Sequence, residues 1–155
     1  MTLVVYVGGA RSGKSTLAVE RAKAAGAPVT FIATGEAGDE EMADRIERHK
    51  RERPREWTTI EEPVDLQRAL AAVPASHTVI VDCLSLWIAN GGDGAVPAPR
   101  DGLTIAVTNE VGLGIVPVNA LARAYRDQLG RVNASWVDAA DEAYFVVAGR
   151  ALRLA

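Results

Sequence analysis

The first residues that could do chemistry lie in a glycine-rich segment near the start of the chain, Gly8-Gly9-Ala10-Arg11-Ser12-Gly13-Lys14-Ser15. An apolar run precedes it, and a segment of helical character follows it. Glycine, four residues and then Gly-Lys-Ser between a strand and a helix is the pattern of a phosphate-binding loop. In such a loop backbone N–H groups surround the phosphates, Lys14 reaches the β- and γ-phosphates, and the Ser15 hydroxyl holds Mg²⁺. An ordinary turn that contains a lysine is the alternative, and the flanking elements favour nucleotide binding.

A carboxylate closes a second apolar run, because Asp82 directly follows Val79-Ile80-Val81. The carboxyl ends of parallel strands meet at one edge of a sheet, and ligands gather there. Asp82 is therefore predicted to lie beside the phosphate loop, where a carboxylate commonly helps to position Mg²⁺. A carboxylate that merely caps the next turn is the alternative interpretation.

A lone histidine, His49, lies in a strongly cationic segment, since residues 45–55 contain six lysines or arginines. A solvated helix face is the default interpretation of such a charge run. The sharper alternative is that a neutral imidazole acts as a nucleophile while the neighbouring cations hold a triphosphate. Position alone favours the solvated helix face. The other histidine, His77, precedes an apolar run, and we assign it no role.

Alternating strands and helices must position these residues, and the pattern predicts an α/β fold with a mostly parallel sheet. The predicted strands are 3–7, 29–33, 57–61, 78–82, 103–108 and 143–148, with a short edge strand at 152–154. The first predicted helix is 15–25, and the second is capped by Asp39 and ends before Pro54. A third is predicted at 65–72, and a fourth begins at 84–88. The last is a long helix that Pro117 opens and that runs through Gly130 to residue 140. In the second helix Met42, Ile46 and His49 share one stripe.

One connection does not fit this pattern. Residues 91–102 are rich in glycine and proline and have no helical periodicity, although a parallel crossover normally carries a helix. We therefore expect one face of the sheet to be thinly covered there.

Composition predicts one soluble domain spanning 1–155, because 48% of the residues are hydrophobic and 24% are charged. The net charge of −3 argues against nucleic-acid binding. No segment is long and apolar enough to span a membrane, and no signal peptide is evident. The single cysteine, Cys83, lies in an apolar run, which predicts a buried thiol in a reducing compartment. The expected location is the cytoplasm.

Beyond the phosphate loop, several segments carry a likeness to one family: 31–34, 39–50 with His49, 82–84, 108–112, 114–117 and 130–133. Here the chain resembles the bifunctional adenosylcobinamide kinase/adenosylcobinamide-phosphate guanylyltransferases of cobalamin synthesis and salvage. The likeness covers nearly the whole chain except 91–102, where relatives have a longer segment that contains a helix. The phosphate loop is shared with many kinases, whereas its combination with the His49 and Asn-Glu-Val-Gly segments is specific.

The resemblance implies a RecA-like phosphate-loop NTPase fold, a trimer and two reactions. A nucleoside triphosphate, GTP or ATP, phosphorylates adenosylcobinamide; separately, GMP passes from GTP to a histidine and then to the phosphorylated corrinoid. His49 matches that histidine, and Lys14 is the other predicted catalytic residue. The implied nucleotide contacts are Gly8, Gly9, Ala10, Arg11, Ser12, Gly13, Lys14, Ser15, Ala33, Thr34, Gly35, Lys50, Arg51, Glu52, Arg53, Glu61 and Asp82, with Ser15 and Asp82 at Mg²⁺. A kinase with an inert His49 and a nucleotide-binding switch or ATPase module remain as alternatives.

Overall fold

A seven-stranded β-sheet forms the centre of the computed structural model, which describes residues 2–154. Met1 and Ala155, the two ends of the predicted domain, lie outside the described residues. The strands are β1 (Thr2–Gly8), β2 (Val29–Ala33), β3 (Thr58–Glu61), β4 (Thr78–Asp82), β5 (Leu103–Asn109), β6 (Glu142–Val147) and β7 (Arg150–Arg153). The helices are α1 (Lys14–Ala25), α2 (Glu40–Glu52), α3 (Leu66–Ala72), α4 (Leu84–Ala89) and α5 (Ala120–Ala139).

The strand order is β3-β2-β4-β5-β1-β6-β7. Every neighbouring pair is parallel except β6 and β7, which are antiparallel. This arrangement confirms the predicted α/β fold with a mostly parallel sheet. Because β5 lies between β1 and β4, the carboxyl ends of these three strands stand side by side. The phosphate loop follows β1, and Asp82 ends β4, so the topology brings the two predicted motifs to one edge.

Helices cover both faces of the sheet, as the continuous apolar runs of the central strands require. On one face, α1 buries Ala18 and Ala22 against strand residues such as Ile80. On the opposite face, α3, α4 and α5 bury a larger cluster that includes Trp87 and Trp136, each at most 1% exposed. The two indole rings meet edge to face, with centroids 6.1 Å apart.

Residues 91–102 contain no helix, as predicted, but the expectation of a thinly covered sheet face is wrong. The segment runs close over the tryptophans, so that the Trp136 indole donates to the Gly94 carbonyl at 3.3 Å. Gln67 of α3 donates to the Ala95 carbonyl at 3.0 Å, and Val96 packs against the same cluster. The backbone of this glycine-rich segment therefore packs directly against the tryptophan cluster and covers it without a helix.

Most elements begin and end within one residue of the prediction, and the bounds of two differ by more. The long helix begins at Ala120 rather than at Pro117, because Asn119 caps it by accepting from the Ala122 N–H at 3.0 Å. It then continues through Gly130, as predicted. The edge strand begins two residues earlier than predicted, at Arg150, directly after a tight turn in which Ala148 and Gly149 have φ of 49° and 74°.

Candidate functional site

The phosphate loop is a fixed turn between β1 and α1. Gly13 has φ of +98°, a conformation that glycine adopts without strain, and the helix begins at the next residue. No side chain caps the N-terminus of α1, which leaves its first N–H groups for an anion. The Ser12 carbonyl accepts from the Gly149 N–H at 2.7 Å, so the β6–β7 turn supports the loop from outside.

Lys14 is folded back along this loop. Its ammonium donates to the Gly9 carbonyl at 2.6 Å and lies 3.5 Å from the Ser12 hydroxyl. The residue is buried, and burial lowers the pKa of Lys14, which Asp82 partly opposes. A desolvated cation beside uncapped N–H groups suits an anionic ligand.

Ser15 and Asp82 meet at the open edge between α1 and β4. The Ser15 hydroxyl donates to Asp82 Oδ2 at 2.8 Å. A hydroxyl and a carboxylate are both oxygen ligands of the kind that Mg²⁺ takes, usually with phosphates and water completing its shell. Within residues 2–154 no group of three or more His, Cys, Asp and Glu is placed to hold a metal.

A cleft of about 420 Å³ opens over the phosphate loop. Residues of the phosphate loop, of the ends of β2 and β4, and of α2 line it, so that α2 forms one wall. Most of the predicted site residues line it: Ala10, Arg11, Ser12, Gly13, Lys14, Ser15, Ala33, Gly35, His49, Glu52, Arg53, Glu61 and Asp82. Its volume is in the range of small-molecule sites.

The α2 wall presents the predicted stripe to this cleft. Met42, Ile46 and His49 all line it, together with Arg45 and Arg48. The helix has no buried residue, so it packs on the rest of the protein through partly exposed side chains. The structure thus places an imidazole and several cations in the same cleft as the phosphate loop.

Arg53 ties the end of α2 to the sheet. Its Nε donates to the His49 carbonyl at 3.2 Å, and Nη1 donates to Thr59 Oγ1 at 3.1 Å. The guanidinium stacks on the Phe31 ring at 4.0 Å. Burial lowers the pKa of Arg53, and the nearby Asp82 and Glu61 oppose that shift. The residue that follows α2 therefore fixes the backbone of the predicted nucleophile.

The other predicted contacts, Gly8, Gly9, Thr34, Lys50 and Arg51, do not line the cleft. Thr34 is fully buried, and its hydroxyl donates to the Cys83 carbonyl at 2.6 Å, which fixes the chain after Asp82. Lys50 forms a 3.0 Å ion pair with Glu61, and this hydrogen bond raises the pKa of Lys50. Arg51 is exposed.

Gly8 is buried beneath the loop, where a Cβ would lie 2.5 Å from the Val146 carbonyl oxygen. Gly9 contributes its backbone carbonyl, which accepts a hydrogen bond from Lys14. His77, to which no role was assigned, lies outside the cleft lining, and its Nδ1 is 2.9 Å from Thr30 Oγ1.

Sequence reasoning from motifs missed several lining residues, including Phe31, Leu86, Val107 and Asn109. Asn109 ends β5 as Asp82 ends β4, so the same strand-end argument would have found it. Its backbone is held on both sides: its N–H donates to Ser85 Oγ at 2.7 Å, and its carbonyl accepts from Asn133 at 2.9 Å. Asn109 thus lines the cleft on a backbone that is fixed at both of its peptide groups.

Cys83 is a buried thiol, as predicted. Burial raises its pKa to about 11, which keeps it protonated at neutral pH. Among residues 2–154 no helix combines the length and the apolar character that a membrane crossing requires.

Comparison with known proteins yields a family match and close relatives. Residues 3–93 and 94–154 match the family model described as cobinamide kinase / cobinamide phosphate guanyltransferase. The chain is 39% identical to the bifunctional adenosylcobalamin biosynthesis protein CobP of Pseudomonas aeruginosa, over 94% of this chain and 92% of the relative. It is 36% identical to the bifunctional adenosylcobalamin biosynthesis protein CobU of Escherichia coli, over 98% of this chain and 99% of the relative.

Among solved structures the fold resembles an ATPase from the type III secretion system of pathogenic bacteria, with a TM-score of 0.50 and 16% sequence identity. The match covers 93% of this chain, which spans about half (50%) of the ATPase chain. At this identity the likeness concerns the fold alone, and it agrees with the phosphate-loop architecture.

Proposed function

Since the chain belongs to the cobinamide kinase / cobinamide phosphate guanyltransferase family, we propose that it is a transferase with two activities at one cleft. It phosphorylates adenosylcobinamide with GTP or ATP, and it transfers GMP from GTP through His49 to adenosylcobinamide phosphate. The observation that carries the second activity is that His49 of α2 lines the same cleft as the phosphate loop.

In the kinase step the hydroxyl oxygen of the acceptor attacks the γ-phosphorus. The bond from the γ-phosphorus to the β–γ bridging oxygen breaks, the nucleoside diphosphate leaves, and the hydroxyl proton goes to solvent. The loop N–H groups and Lys14 stabilise the charge on the transferred group and the leaving diphosphate. Asn109, at the end of the strand between β1 and β4, lines the same cleft.

In the guanylyl step a ring nitrogen of His49 attacks the α-phosphorus of GTP, and pyrophosphate leaves. A phosphate oxygen of adenosylcobinamide phosphate then attacks the same phosphorus, the P–N bond breaks, and adenosylcobinamide-GDP forms. Covalent catalysis divides one difficult transfer into two easier ones. Arg45 and Arg48, which line the cleft beside His49, offset the charge of the departing pyrophosphate.

The paired oxygens of Ser15 and Asp82 fit a nucleotide-bound Mg²⁺, and we assign them to it. Bound there, the ion would neutralise phosphate charge. The family resemblance supports a homotrimer, and the buried, protonated thiol of Cys83 agrees with a cytoplasmic enzyme.

Product analysis with adenosylcobinamide and GTP tests the assignment. The wild-type protein should yield adenosylcobinamide phosphate and then adenosylcobinamide-GDP, whereas His49→Ala should stop at the phosphate. Lys14→Met should lose both products. If wild type makes the phosphate but no GDP-linked product, the chain is a kinase alone; if it hydrolyses nucleotide without modifying the corrinoid, it is an ATPase or switch module.

A further inference from the structure

A network of buried polar side chains lies behind the carboxyl end of β5, on the face that α4 and α5 cover. Ser85 of α4, Thr108 of β5 and Asn133 of α5 are 1%, 0% and 6% exposed. The Thr108 hydroxyl donates to Asn133 Oδ1 at 2.6 Å, and the Ser85 and Thr108 hydroxyls lie 3.4 Å apart. Burial of polar groups is unfavourable unless they are hydrogen-bonded, so a bonded network at this place holds its members in one geometry.

The residue that this network fixes on the cleft side is Asn109. Its N–H donates to Ser85 Oγ at 2.7 Å, and its carbonyl accepts from Asn133 Nδ2 at 2.9 Å. The Tyr125 hydroxyl donates to the Ser85 carbonyl at 2.9 Å and so holds Ser85 in turn. Because both peptide groups of Asn109 are engaged, its side-chain amide is the group with which it can bind a ligand in the cleft that it lines.

Alternation along β5 places the Asn109 side chain on the face of the sheet that carries α1. Ile105 and Val107 pack in the cluster that α1 covers. Ala106 packs in the cluster on the opposite face, where the Thr108 hydroxyl also meets α5. Since successive side chains of a strand point to opposite faces, Asn109 follows Val107, which lines the same cleft.

The strand register places Asn109 between the phosphate loop and Asp82. In β1, Gly8 is the partner of Asn109, and Gly8 is the first residue of the loop. In β4, Asp82 is the partner of Val107, which lies two residues before Asn109. Asn109 therefore stands about 7 Å further along the strand direction than Asp82, on the strand between the two motifs.

We propose that the Asn109 amide donates a hydrogen bond to an oxygen of the terminal phosphate of the bound nucleoside triphosphate, and that Ser85 and Asn133 are positioning residues that hold it there. The inference rests on the proposed function, because it concerns the same nucleotide cleft. In a phosphate loop the lysine reaches the β- and γ-phosphates, and the metal held near the loop bridges oxygens of the same two groups. A side chain between the loop and Asp82 therefore meets the γ-phosphate rather than the nucleoside.

This contact has a different weight in the two transfers. In the kinase step the γ-phosphoryl group is itself transferred, and a donor on a rigid support stabilises the charge on its oxygens. In the guanylyl step the γ-phosphate leaves as part of pyrophosphate, and the reacting α-phosphorus is remote from it. Asn109→Ala should therefore lower the kcat of the kinase step by about 10- to 100-fold and slow the labelling of His49 much less.

The preference for a triphosphate over a diphosphate tests the contact without any corrinoid. In a His49→Ala background, which cannot accept GMP, calorimetry with Mg²⁺ gives the Kd of GDP and of the β,γ-imido analogue of GTP. Asn109→Ala should lower the preference for the triphosphate by about 10-fold. Asn109→Asp should lower it further, because a carboxylate then faces the phosphate.

Asn119→Asp is the matched control. It makes the same change of charge at the exposed cap of α5, outside the cleft lining, and aspartate caps a helix as well as asparagine does. The preference for the triphosphate should not change in this variant.

A double-mutant cycle tests the positioning role. Ser85→Ala deletes one oxygen, the acceptor of the Asn109 N–H. It should lower the triphosphate preference and the kinase kcat in the same direction as Asn109→Ala, and the double variant should be no worse than Asn109→Ala alone. A purely structural Ser85 would instead lower the stability in urea and leave the preference as it was.

Three results would overturn the inference. The first is a triphosphate preference that survives in Asn109→Ala with wild-type circular dichroism. The second is a loss in Asn109→Asp alone, which would reflect charge in the cleft rather than a hydrogen bond. The third is additive effects of Ser85→Ala and Asn109→Ala, which would remove the positioning role. A parent protein that binds neither nucleotide would refute the proposed function together with the inference, whereas these three results leave the proposed function standing.

Discussion

Replacing Arg53 with lysine should impair the transfer of GMP to His49 more than it impairs nucleotide binding. Arg53 links three parts of the site, because it bonds to the His49 carbonyl and to Thr59 and stacks on Phe31. Lysine keeps the positive charge but has neither the planar stack nor the forked donors. The last turn of α2 would then be held less firmly, and the imidazole would spend less time in position.

The contacts give the size of this effect. A hydrogen bond with a charged donor is worth about 1.5–3 kcal/mol, and an arginine stacked on a ring contributes roughly 0.5–1 kcal/mol at a partly exposed site. Thr59 is exposed, so its bond counts toward the low end, and lysine can still reach one acceptor. A net loss of about 1–2 kcal/mol corresponds to a labelling rate that is lower by about 5- to 30-fold.

The assay is the single-turnover rate at which GTP labelled at the α-phosphate modifies the protein, compared with the calorimetric Kd for GTP. Arg55→Lys is the matched control, since Arg55 is exposed and lies just beyond α2. It should behave as wild type. Arg53 would be only a nucleotide contact if its lysine variant lost affinity and labelling to the same extent. An unchanged labelling rate would show that the link to His49 has no function.

Two further predictions concern stability and reactivity. Gly8→Ala places a Cβ 2.5 Å from the Val146 carbonyl oxygen and should lower the free energy of unfolding by about 1–3 kcal/mol. Gly9→Ala is the control, because its Cβ meets nothing within 4 Å. Equal losses of stability in urea unfolding of the two variants would contradict this prediction. Because burial raises the pKa of Cys83 to about 11, iodoacetamide at pH 8 should modify it only in unfolded protein, and rapid modification of the native chain would be the adverse result.

The phosphate loop and Asp82 could be located from sequence because their signals are local. A Gly-rich turn between an apolar run and a helix fixes the end of one strand, and Asp82 marks the end of another. Parallel topology then brings the two ends to one edge, and the 2.8 Å bond between Ser15 and Asp82 is consistent with that argument. The stripe on α2 followed from helical spacing in the same way.

Features that depend on tertiary approach could not be predicted. Arg53 and Phe31 are far apart in the sequence, and nothing local to either residue indicates their stacking. Pro117 has the sequence character of a first helical residue, yet Arg123 bonds to its carbonyl and keeps it in a loop. Residues 91–102 lack a helical pattern, but the fit of their backbone against Trp136 decides how the sheet is covered.

The covalent labelling of His49 tests the central claim most directly. Wild-type protein incubated with Mg²⁺ and GTP labelled at the α-phosphate should retain an acid-labile label, and GTP labelled at the γ-phosphate should leave none. His77→Ala should be labelled like wild type, because His77 lies outside the cleft lining. His49→Ala should carry no label. Label that persists in His49→Ala, or its absence from wild type during turnover, would contradict the account.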